Sequence, residues 1–65
     1  MRYEIRVEGH MSKTLASSFP ELDHVVMNGQ TVLFGSVVDE AHLFGLLIRC
    51  QSLGLRVLEM RQLPS

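Results

Sequence analysis

The sequence predicts a small α+β fold, with four strands and two helices in the order βαββαβ. Three features carry that reading. Residues 2–8 alternate strictly between charged and apolar types. An Asn28-Gly29 pair separates two runs rich in β-branched residues. Residues 40–53 repeat apolar positions at the helical period, between Asp39 and Gly54.

In the first strand, Tyr3, Ile5 and Val7 fall on one side and Arg2, Glu4, Arg6 and Glu8 on the other, the signature of one buried face. Gly9 ends the pattern. Ser12 is a candidate N-cap, and Lys13 to Phe19 is permissive for a short helix, with Leu15 and Phe19 four apart on one face. Pro20 restricts Phe19 and stops it. A loop with one 3₁₀ turn is the alternative over residues 12–19. His24–Met27 and Thr31–Val38 read as strands, and Asn28-Gly29 supplies the two positive φ values of a type I′ hairpin turn. Gly35 marks either a bulge or the close approach of another element.

Asp39 caps the main helix and Glu40 complements its dipole, while Gly54 suits the left-handed position after its end. On a helical wheel, Leu43, Leu46, Leu47, Cys50 and Leu53 share an arc of about 120°. Ala41, Phe44 and Ile48 lie outside that arc, and His42, Gly45, Arg49 and Ser52 form the wet side. The last strand spans Leu55 to Leu63, with Pro64 and Ser65 as a tail. Neither of its sides is cleanly apolar, so its register is not readable.

Two βαβ units joined by a tight hairpin make a ferredoxin-like βαββαβ sandwich. It has a four-stranded antiparallel sheet in the order 4-1-3-2 and both helices on one face, all within a single domain spanning residues 1–65. A three-strand meander with one helix and one further strand is the alternative if residues 12–19 are not helical. The sheet's second face then has no covering layer. It carries the charged side of the first strand and either Val32, Phe34 and Ser36 or Leu33, Gly35 and Val37 from the third. Both sets leave apolar surface uncovered, which points to a contact surface.

Composition narrows the function classes. The chain has 65 residues, 46% hydrophobic, with six Lys/Arg against seven Asp/Glu. That excludes a disordered tail, and the dispersed basic residues lack the stripe that nucleic-acid binders carry. Cys50 is the sole cysteine, so no internal disulfide or cysteine-rich zinc site can staple so small a core. Oligomerisation is the remaining remedy. The unpaired cysteine, the lack of a basic-then-apolar leader and the lack of a bilayer-spanning run lead to an expectation of a cytoplasmic protein.

From Thr31 onward the chain resembles a family of short, uncharacterised bacterial proteins. The shared pattern is Thr31-Val32-Leu33, Gly35, Val37, Asp39, Ala41, Leu43, Gly45-Leu46-Leu47, Leu53-Gly54-Leu55 and Arg61, and the strand from Tyr3 to Gly9 also looks like theirs. The resemblance implies a stand-alone intracellular domain and transfers no catalytic residue. A fainter likeness is to the ACT domains, which share the element order and bind amino acids between chains. It implies a ligand site near Gly9, His10 and Ser12, although the stretch Glu8-Gly9-His10-Met11-Ser12 lacks their Pro-Gly turn.

Signals of chemistry are weak. Asp39-Glu40-Ala41-His42 spells a helicase Walker B signature, but no Gly-rich loop ending in Lys-Ser/Thr accompanies it. An N-cap followed by an acidic first turn explains Asp39 and Glu40. His10, His24 and His42 have no metal-ligand spacing, although His10, His24 and Asp23 lie beside strand ends and could meet. Cys50 sits in the core stripe, where a thiol behaves as a small hydrophobe.

The sequence therefore leads to a non-catalytic interaction module, without cofactor or metal. It is expected to self-associate through its sheet face and main helix, with Val32, Phe34, Phe44 and Ile48 at the interface. The expected partner is a second copy, a dimer first, with another protein as the further candidate. Neither nucleic acid nor a membrane is expected. The alternative is an ACT-like sensor holding a metabolite between chains.

Overall fold

A computed structural model describes residues 1–64; Ser65, assigned to the tail, lies outside them. The elements are β1 (Arg2–Glu8), α1 (Lys13–Ala16), β2 (Asp23–Met27), β3 (Gln30–Ser36), α2 (Glu40–Ser52) and β4 (Val57–Leu63). The strands form one antiparallel sheet in the order β2-β3-β1-β4, which is 4-1-3-2 when read from the β4 edge.

The hairpin turn follows from its two residues. Asn28 and Gly29 both take positive φ, 54° and 74°, and set Met27 opposite Gln30. That register carries Thr31 and Leu33 to the same face as Val7 and Ile5 of β1. This inner face is the core. Ile5, Val7 and Leu33 pack with Leu43, Leu46 and Cys50 of α2 and with Met11 and Phe19 from the β1–β2 connection, while Leu15 of α1 lies against the same cluster. Both helices therefore cover one face, and Val32, Phe34 and Ser36 turn to the other.

Several boundaries differ from the sequence expectation. The first helix stops at Ala16 rather than Phe19. Its Ser12 cap accepts from the Leu15 N–H at 3.1 Å, but the chain then tightens into i→i+3 turns, Ser18 to Leu15 and Phe19 to Ala16. Phe19 reaches the core from that turn at 1% exposure. The third strand ends at Ser36, two residues early, because β1 runs out opposite it: Ser36 pairs with Arg2, and Val37 N–H donates to the Met1 carbonyl at 2.6 Å. Asp39 then caps α2, its carboxylate accepting from His42 N–H at 2.9 Å. Leu53 is the C-cap of α2, not a core residue. The chain is leaving the helix there, Gly54 takes φ 74°, and Leu55 packs at the core edge instead.

The unreadable register of β4 has a specific cause. Arg6 pairs with Glu59, but Val7 pairs with Val57, so a bulge at Leu58 inserts one residue. Val57 and Met60 thus share the inner face although their numbers differ in parity. Gly35 is a site of close approach. A Cβ there would lie 3.1 Å from Leu22 Cδ2 and 3.3 Å from the Glu21 carbonyl oxygen.

Thr31 is a polar residue in the core, at 0% exposure. Its hydroxyl donates to the Gly9 carbonyl at 2.8 Å and accepts from Met11 N–H at 3.0 Å. One side chain therefore fixes the course of the loop between β1 and α1.

Candidate interaction surface

The outer sheet face divides into two halves. On β1 and β4, Glu4 accepts from Arg6 Nε at 3.2 Å and from Arg61 Nε at 3.0 Å, and Glu59 lies 3.9 Å from Arg6. Glu4 is only 9% exposed although no layer covers it. Two guanidinium partners satisfy that carboxylate. On β2 and β3 the same face is mainly apolar, with Val25 opposite Val32, while Gln30 opposite Met27, Asp23 opposite Phe34, and Ser36 bring polar groups toward its ends.

The four residues expected at the interface are not in one patch. Val32 is 4% exposed, flanked on the same face by its register partners Arg6 and Val25, and adds little area. Phe34 is half-buried beside Glu4 and Asp23. Phe44 and Ile48 are 55% and 61% exposed, on the side of α2 turned away from the core. The sheet patch and the helix patch therefore lie on opposite sides of the molecule.

Several exposed apolar residues were not expected from the sequence, among them three beside the sheet edge and ahead of the main helix. Val25 and Met27 on the β2 edge are each 43% exposed, and Val38 ahead of α2 is 83% exposed. The His24–Met27 run has no alternation to reveal an outer face, and its partner strand was needed to define one.

The Gly9–Ser12 loop uses several of its polar groups internally. Thr31 binds the Gly9 carbonyl and the Met11 N–H, Gly9 N–H donates to Gly29, and the Ser12 hydroxyl caps α1. His10 stands exposed beside them. No cavity opens among the described residues, and no group of three or more His, Cys, Asp and Glu among them could hold a metal ion.

Charge is concentrated beside α2. Arg49 donates to the Glu21 carboxylate at 2.8 Å and to the Ser18 carbonyl at 2.9 Å, with its guanidinium 5.4 Å from the Phe19 ring centroid. His42 Nε2 stands 3.5 Å from the second Glu21 oxygen, while its Nδ1 accepts from Val38 N–H at 3.0 Å. The Arg49 hydrogen bond is the main cause holding the Glu21 carboxyl below its ordinary range. Burial pushes the Cys50 thiol up, against a smaller pull from Arg49. With no exposure, it lacks the access that a reactive cysteine needs.

No helix among the described residues is long and apolar enough to cross a membrane. Neither a curated protein nor a solved structure matches the chain. A family model described as a domain of unknown function, DUF8691, matches residues 2–61, nearly the whole chain. An α+β domain with one uncovered sheet face, continuous from its first strand into its last, is thus a member of the DUF8691 family.

Proposed function

We propose that this domain is a non-catalytic assembly module that associates with a second copy of itself. The observation that carries this reading is the apolar surface left outside so small a core. Phe44 and Ile48 are more than half exposed one helical turn apart, and Val25 and Met27 stand open on the sheet. Exposed apolar area of this kind marks contact surfaces, and a core of this size gains stability from oligomerisation. The contacts are a sheet side, with Val32 and Phe34, and a helix side, with Phe44 and Ile48.

The element order, the sheet order and two helices on one face also support a ferredoxin-like plan. The lone buried Cys50 supports a reducing, cytoplasmic setting, and the shared pattern from Thr31 to Arg61 supports a bacterial one.

Native mass spectrometry of the purified protein and its Phe34→Glu and Phe44→Glu variants tests the proposal. An assembled parent from which either variant releases monomer supports it. A monomeric parent overturns it, and two variants that both keep the parent's assembled mass overturn the contacts at Phe34 and Phe44.

A further inference from the structure

The two edges of the sheet are built differently. β4 carries a bulge at Leu58 and the charged Glu59 and Arg61, devices that discourage strand addition. β2, the sequence Asp-His-Val-Val-Met, has no bulge, proline or lysine, and every residue in it is exposed.

The direction of its peptide groups follows from the hydrogen-bond pattern. Gly9 N–H donates to the Gly29 carbonyl at 2.7 Å and Val37 N–H to the Met1 carbonyl at 2.6 Å, so odd-numbered residues of β3 bond toward β1. Even-numbered residues of β3 then bond toward β2. Their partners are Met27, Val25 and Asp23, opposite Gln30, Val32 and Phe34. His24 and Val26 are left with N–H and C=O pointing outward from the edge.

We infer that β2 pairs antiparallel with β2 of a second copy, about a two-fold axis at Val25, to make one eight-stranded sheet. The inference rests on the self-association reading and specifies its sheet-side contact. The free edge is self-complementary. With Val25 opposite Val25 of the partner subunit, each His24 faces the partner's Val26, and each such pair exchanges two N–H···O=C bonds. Asp23 falls opposite the partner's Met27, so no two carboxylates oppose each other. On the outer face the two valines meet directly. The Val25, Val32 and Met27 side chains of one copy thereby continue into those of the other, and the apolar half becomes the middle of the assembly, with the charged halves at its ends.

The test exploits the two-fold position. In Val25→Lys, or in Val25→Glu, like charges oppose each other across the axis, so either variant alone should dissociate, its dimer dissociation constant raised about tenfold or more. An equimolar mixture should restore a dimer of one chain of each kind, read directly as a mixed mass. Val26→Pro removes an outward N–H that no β2–β3 bond uses and should also give a folded monomer by circular dichroism and mass. If Val26→Pro does not fold, the charge pair still decides. An assembled parent whose Val25 variants each stay assembled overturns the edge pairing and leaves the assembly reading standing. Variants that dissociate without forming the mixed dimer overturn the register centred on Val25. A monomeric parent overturns both proposals.

Discussion

Arg49, in the last turn of α2, donates to the Glu21 carboxylate at 2.8 Å from a position 28 residues further along the chain. The same guanidinium holds the Ser18 carbonyl and lies over the Phe19 ring. One side chain thereby fastens the helix to the segment that closes the core where α1 has ended. The carboxylate also faces His42, whose ring accepts the Val38 N–H and so ties the start of α2 to the same point.

This link gives the fold an acid dependence. The Glu21 carboxyl is held below its ordinary value of 4.5, first by the Arg49 hydrogen bond. Its stabilising contribution is therefore complete above 4.5 and is lost as pH falls through the lower folded value. Glu21→Gln should be less stable than the parent at neutral pH, by about 0.2–1 kcal/mol for a partly exposed pair. Urea titrations at several pH values should show the difference closing below that range. A difference that does not change with pH would contradict this account.

Thr31→Val should be costly despite its nearly equal volume. It leaves the Met11 N–H and Gly9 carbonyl without their Thr31 partner beside a fully buried site. Leaving buried polar groups unpaired costs about 1–3 kcal/mol. Thr31→Ser keeps the hydroxyl and should recover part of the loss in chemical denaturation. Equal stabilities for the two variants would show that the hydroxyl does not fix the loop.

Two glycines should respond oppositely to alanine. A Cβ at Gly35 meets Leu22 Cδ2 at 3.1 Å and the Glu21 carbonyl at 3.3 Å, so Gly35→Ala pushes the β1–β2 connection outward. Overpacking of this kind costs about 1–3 kcal/mol. Gly45 sits inside α2, where an added methyl would have no neighbour within 4 Å, so Gly45→Ala should raise the melting temperature. The gain is about 0.4–1 kcal/mol, from reduced freedom of the unfolded chain. Calorimetry on both variants checks the signs.

Local chemistry made much of this molecule legible. Alternation in β1, the Asn28-Gly29 turn, the Asp39 cap and Gly54 at the end of α2 all act within a few residues, and each element appears near its expected place. The candidate surface was less legible. Phe44 and Ile48 could be placed outside the core arc from helical spacing alone, because a helix carries its own geometry. Val25 and Met27 could not, because a strand's two faces acquire meaning only from its neighbours.

The sequence by itself determined the order of the elements, the charged side of β1 and the core stripe of α2. The tertiary structure alone decided which side of β3 turned inward, since that depends on pairing between β1 and a strand more than twenty residues away in the chain. It also decided the register of β4, where the bulge at Leu58 defeats any two-residue period. Val32 was buried on the uncovered face by its position in the middle of the sheet. The separation is physical: turns, caps and helical faces are set by neighbouring residues, whereas strand register and edge exposure are set by contacts that exist only once the chain has closed on itself.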